Sequence, residues 1–177
     1  MKKIYIILSH SGSMPSRIIK FFTLFKYSHV SIALKKDLRV MYSFGRKKLN
    51  NPFDGGFITE DKNGLFYKKF YKTKCIILEI DVSNKQYRSV IKELKRYEDK
   101  IDIYKYDILG LVFRIFNFKL SRDNYKVCTT FVGDILEKSD IYKFNSDYIK
   151  PKDFFNIPNI NIIYDGYLVK YGREYDK

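Results

Sequence analysis

"YSHVSIALKKDLRVMYSF", residues 27–44, reads as two β-strands around a polar turn. In "YSHVSIAL" the alternation places Tyr27, His29, Ser31 and Ala33 on one face and Ser28, Val30, Ile32 and Leu34 on the other. "RVMYSF" again has β-forming residues, and "KKD" between the two runs supplies the turn. A hairpin over about residues 27–44 makes at least part of the sheet antiparallel. His29 shares its face with small residues, which leaves room for a helix end or a substrate. On spacing alone, a core histidine satisfied by a neighbour stands level with a chemical role.

Working outward, the apolar run Ile4 to Leu8 reads as a buried strand, with His10 in the loop just after it. "SGSMPSR" carries a helix start, with Ser13 as cap and Pro15 in the first turn, and Ile18, Ile19, Phe21, Phe22 and Phe25 give that helix a broad apolar face. "GRKKLNNPFDGG" reads as a loop and "CIILEID" as a strand. Ser83 and Gln86 stand in capping-box order before "NKQYRSVIKELKRYE". Further helices are expected at "YDILGLVFRIF" and at "VCTTFVGDILEK", and "INIIYDGYLVKYG" has the character of a closing hairpin or two short strands. Strands at both ends with helices between them predict an α+β fold with a mainly antiparallel sheet. No internal repeat or linker breaks the chain, so residues 1–177 are expected to form a single domain.

Composition narrows the function. With 45% hydrophobic and 18% aromatic residues, a chain of 177 residues can bury a core without staples. Its net charge of +14 favours an anionic partner: nucleic acid, anionic lipid or a polyanionic polymer. The segment "LFYKKFYKTK" mixes rings and cations as single-strand binders do, yet alternating aromatics and lysines equally describe an edge strand protected from aggregation, the commoner outcome. Nucleic acid is therefore the less favoured partner. No zinc pattern, phosphate-binding glycine loop or paired-carboxylate signature occurs, so neither a metal nor a nucleotide cofactor is implied. The N-terminal apolar run falls short of the roughly 7–15 residues of a signal sequence, and no stretch reaches the roughly 20 of a membrane span, since Arg114 interrupts the best one. With two cysteines only, the expectation is a cytoplasmic protein with reduced thiols.

The cysteines differ in placement. Cys75 lies inside the strand "KCIILEID", where packing is the expected role. Cys128 opens a helix whose Phe131, Val132, Ile135 and Leu136 continue its apolar stripe, with Thr129, Thr130, Gly133, Asp134 and Glu137 on the other face. A cysteine on such a stripe is more often core than catalyst. The exposed amides of a helix N-terminus, however, favour a thiolate, which is what a nucleophile needs besides a base.

"YSHVSIAL", "YSFG" after the hairpin turn, "YDILG" and "VCTTFV", in that order, resemble the motif series of circularly permuted NlpC-type, papain-like cysteine hydrolases, the bacterial YiiX-like and YycO-like proteins and the lecithin:retinol acyltransferases. In the unpermuted order cysteine precedes histidine; here His29 precedes Cys128. The resemblance spans about residues 4–170 and implies a permuted papain-like fold, with Cys128 as nucleophile, His29 as general base and the Cys128 backbone N–H as an oxyanion donor. Such proteins commonly carry a His, a Glu or another polar group on the strand after the base, and matching "VMYSF" to it puts Ser43 there, a weak orienter without charge. Tyr106 matches a tyrosine beside the cleft, whereas Asp107 is preferred as a helix cap. Arg46 and Tyr27 complete the candidate substrate-binding set, with a solvated loop arginine the commoner outcome for Arg46. The resemblance implies a cysteine hydrolase or acyltransferase acting on an amide, ester or thioester of a peptide, peptidoglycan fragment or lipid. The rival is a non-catalytic binder of an anionic polymer or lipid on the same scaffold.

Overall fold

Ile4 to Leu8 alternates between two apolar environments, and that double burial makes its strand the middle of the molecule. Ile4, Ile6 and Leu8 enter one hydrophobic cluster, Tyr5 and Ile7 the other. In the computed structural model, which describes residues 1–13, 25–48, 51–107, 124–146 and 148–172, strand β1 (Lys2–His10) is followed by β2 (His29–Ala33), β3 (Met41–Lys48), β4 (Asn51–Glu60), helix α1 (Leu65–Lys69), β5 (Lys74–Val82), α2 (Asn84–Glu98), β6 (Lys105–Tyr106), β7 (Tyr125–Lys126), α3 (Cys128–Lys138) and β8 (Asn161–Tyr167). One eight-stranded sheet runs β7-β6-β4-β3-β2-β1-β5-β8, and every pairing is antiparallel except that of β6 with β7. The fold is α+β. The helices expected from "SGSMPSR" and "YDILGLVFRIF" lie largely outside the described residues.

Helices α2 and α3 cover one face of the sheet. Ser83 caps α2 as expected: its Oγ accepts from Gln86 N–H at 3.1 Å and Gln86 Oε1 accepts from Ser83 N–H at 2.9 Å. Val90, Leu94 and Tyr97 then face inward. Rings of Phe44, Phe57, Tyr97 and Phe131 close the space between sheet and helices, with Tyr97 edge-on to Phe131 at 4.9 Å and stacked on Phe57 at 6.0 Å. Thr129 and Gly133, which fall on the polar side of the α3 pattern, are buried too, because Phe144 and Ile149 cover that side: a Cβ on Gly133 would lie 2.2 Å from Ile149 Cδ1.

Four readings of the sequence change. "GRKKLNNPFDGG" is not a loop: most of it forms β3 and β4, paired through Phe44–Phe57, Gly45–Gly56 and Arg46–Gly55. Its glycines mark close approach, not a turn. A Cβ on Gly55 would sit 2.7 Å from Tyr106 Cβ, and one on Gly56 would sit 2.7 Å from the Tyr104 carbonyl oxygen. "LFYKKFYKTK" contains α1, not an edge strand, since burial of Tyr67 directs the turn inward. "INIIYDGYLVKYG" is one strand, β8, followed by a 3₁₀ turn at Leu168–Lys170. His10 ends β1, where it pairs with Lys74, and does not sit in the loop beyond.

Phe131 joins α3 to the sheet through the ring cluster, so Phe131→Ala should cost about 3–5 kcal/mol. Urea titration of wild type and variant measures it.

Candidate active site

His29 and Glu60 reach one another because strand pairing places them on one face. Glu60 opposes Met41, and Met41 opposes Ala33; Ala33 and His29 share a side of β2 by alternation. His29 Nε2 lies 2.9 Å from Glu60 Oε1. The other carboxylate oxygen accepts from the Tyr67 hydroxyl at 3.1 Å, so a residue of α1 fixes the plane of the group that fixes the imidazole. Tyr67 is itself buried.

Cys128 comes from the opposite face. β2 pairs with β1 along its whole length, but with β3 only through Ile32–Tyr42 and Ala33–Met41. Helix α3 packs on both β2 and β3, and the side chain of its first residue lies close enough to His29 to favour the charged imidazole. Since Glu60 engages Nε2, Nδ1 is the nitrogen left for the thiol. Cys128 is 5% exposed. Its helix has no side-chain cap: Val127 is the N-cap residue, and Thr130 Oγ1 folds back on Val127 instead, accepting from its N–H at 3.2 Å and donating to its carbonyl at 3.1 Å. The N-cap residue of α3 therefore offers its first amides no side-chain acceptor beside the sulfur.

Electrostatics bind the group together. Burial opposes charge on His29, yet the Glu60 carboxylate and the neighbouring Cys128 side chain outweigh it and hold the imidazole well above its usual value. Burial likewise opposes ionisation of Glu60, and the charge of His29 with hydrogen bonds from His29 and Tyr67 reverses that, lowering its pKa. Tyr67 is pushed well above the usual tyrosine range, by burial first and the neighbouring carboxylate second. Cys75 shares a cross-strand row with Ser9 and His29, but burial pushes its thiol up to about 12, which makes it inert.

The structure brings together Cys128 and His29 of the expected residues and supplies Glu60 where Ser43 was expected. Ser43 Oγ is buried with no hydrogen-bond partner among the described residues; it stands near enough to Glu60 to favour its charged form, but the ring nitrogen Nε2 is taken by the carboxylate. Glu60 escapes a reading that treats residues 45–56 as loop, because its strand then has no beginning. The signal present was the alternation in "GFITE", ending on a charged residue that shares the side of Ile58. Of the substrate-binding candidates, Tyr27 is a core residue whose hydroxyl donates to Asp165 at 3.1 Å. Arg46 lies in β3 with its guanidinium 5.6 Å from the centre of the Phe66 ring. Tyr106 sits in β6 against Gly55 and the large core cluster. Asp107 is buried just beyond β6, and its N–H donates to the Lys126 carbonyl at 2.9 Å; the helix it was expected to cap lies outside the described residues.

Comparison with protein families and with characterised protein sequences gives no match. Among solved structures, the chain is similar in fold to one described as the metalloprotein yiiX from Escherichia coli O157:H7, DUF1105, with a TM-score of 0.57 and 16% identity over 94% of this chain and 98% of that one. At that identity the likeness is one of fold. Among the described residues, no helix is long and apolar enough to cross a membrane.

The chain has two histidines, so His29 can be followed by NMR with His10 as internal reference. Glu60→Gln should bring the His29 titration down markedly and leave His10 in place. Stability should follow. The raised His29 contributes fully below its unfolded value of 6.5 and loses that contribution as pH rises through its folded value. The lowered Glu60 contributes fully above 4.5 and loses it as pH falls through its folded value. Urea titrations should therefore show the largest gap between wild type and Glu60→Gln between those two unfolded values, narrowing on either side.

Proposed function

We propose that this chain is a permuted papain-like cysteine hydrolase or acyltransferase, working through an acyl-enzyme on Cys128. The observation that carries the reading is the placement of His29 between the Glu60 carboxylate and the Cys128 thiol at an uncapped helix start. A carboxylate held half-buried against an imidazole costs desolvation that a plain binding surface has no reason to incur.

In the reaction, the proton of Cys128 is held on His29 Nδ1, sulfur attacks the acyl carbon as the thiolate, and the carbonyl electrons move onto oxygen. The N–H of Cys128 at the start of α3 stabilises that oxyanion. Collapse of the intermediate expels the amine, alcohol or thiol, which receives the proton from His29, and leaves a thioester on Cys128. Water or an acceptor nucleophile then loses its proton to His29, attacks the thioester and releases the thiol. Glu60 stabilises the imidazolium in both halves and holds the ring in the tautomer that presents Nδ1 to sulfur; Tyr67 orients Glu60.

The similar yiiX is described as a metalloprotein. Among the described residues of this chain, no group of three or more His, Cys, Asp or Glu side chains is arranged to hold an ion, and His29 Nε2 is engaged by Glu60. The described residues do not fit a metal centre, and no step here is routed through one.

Acyl probes followed by intact mass test the reading. Wild type and Cys75→Ala should form a covalent adduct with an amide, ester or thioester probe, and Cys128→Ala should form none. His29→Ala should slow adduct formation by about 10²–10⁴-fold, while His10→Ala should not. Absence of any adduct across the three probe types, or an adduct on Cys75, would refute it.

A further inference from the structure

From Lys62 to Lys74 the chain carries Lys62, Lys68, Lys69, Lys72 and Lys74 and no acidic residue. Helix α1, in the middle of this segment, buries Tyr67 and packs Phe66 against the smaller core cluster, and turns its other side chains outward: Leu65 is 75% exposed, Tyr71 just beyond the helix is 58% exposed, and Lys68, Lys69 and Lys72 are exposed. The end of β8 extends the same surface. Leu168 N–H donates to the Thr73 carbonyl at 2.9 Å, Tyr167 opposes Lys74 in the ladder, and the ammonium groups of Lys74 and Lys170 lie 5.9 and 5.7 Å from the centre of the Tyr167 ring.

A single exposed leucine is ordinary on a protein surface. One set among lysines and half-exposed tyrosines is the composition of a surface that meets lipid: cations for the headgroups, amphipathic rings at headgroup depth and an aliphatic side chain beneath them. A single-stranded nucleic acid would use the rings and the cations but has no use for Leu65. We propose that the face formed by α1, the residues up to Lys74 and the end of β8 docks on an anionic membrane surface, with Leu65 entering the acyl boundary. Tyr67 of the same helix holds Glu60, so the docking face and the His29–Glu60 pair belong to one rigid piece. Docking does not depend on the chemistry of Cys128 and is read without turnover.

The chain contains no tryptophan, so Leu65→Trp installs a sole indole reporter at the centre of the patch. Its emission should shift to the blue on adding phosphatidylcholine vesicles containing phosphatidylglycerol, and should stay unchanged with phosphatidylcholine alone, heparin or a single-stranded oligonucleotide. In vesicle sedimentation, Lys68→Glu, Lys69→Glu and Lys72→Glu together should weaken binding to the anionic vesicles by about tenfold or more. The same charge change at the exposed Lys85, Lys92 and Lys95 of α2 should weaken it by about twofold through net charge alone. Circular dichroism confirms that each variant is folded. Equal losses from the two triple variants, or sedimentation with anionic vesicles while the indole emission stays unmoved, would overturn the proposal. An oligonucleotide bound more tightly than the vesicles, and lost on changing the α1 lysines, would make the face a nucleic-acid site instead.

Discussion

A carboxylate and an imidazole half-buried together both stay charged most readily while each remains within reach of the other. Alone, Glu60 would take up a proton and His29 would give one up, because burial penalises both ions. Their contact therefore requires everything that keeps them adjacent: the β2, β3 and β4 pairings, and α1, whose Tyr67 satisfies the second carboxylate oxygen. The segment from His29 to Tyr67 is one electrostatic unit made from three strands and one turn of helix.

The second requirement is mechanical. Cys128 opens a helix whose inner side chains pass into the ring cluster of Phe44, Phe57 and Tyr97, and Tyr97 also donates to Asp134 of that helix at 3.1 Å. Asp134 is bonded in turn by Lys126, just ahead of the cysteine. Cys128 is thus held from both directions along the chain. Dense aromatic packing suits the task, since rings have few rotamers and a small shift of one is resisted by several others.

His29 and Cys128 were legible because each sits at a position whose local pattern is strong: a two-faced strand, and an amphipathic helix beginning at the cysteine. Ser83 with Gln86 was legible for the same reason, as a motif confined to four neighbouring positions. Glu60 was not. It serves as orienter through a pairing between strands, and its strand is polar, contains a Gly pair and is held by close backbone approach more than by apolar alternation. "LFYKKFYKTK" failed as a strand because its deciding residue, Tyr67, is directed inward by a hydrogen bond to that same unseen glutamate. Missing one long-range partner concealed two elements.

The short strands β6 and β7 act as a ruler. Gly56 of β4 pairs with Lys105, Lys105 pairs with Tyr125, and the chain passes from Lys126 through Val127 into Cys128. The distance from the acidic strand to the sulfur is thereby measured in backbone hydrogen bonds. Slippage of β7 by one position would displace the thiol by about 3.3 Å, more than the tolerance of a hydrogen bond to the imidazole. Two dipeptides of pairing set the alignment of Cys128, and Gly55 and Gly56, which let β6 lie so close, are where that alignment would first be lost.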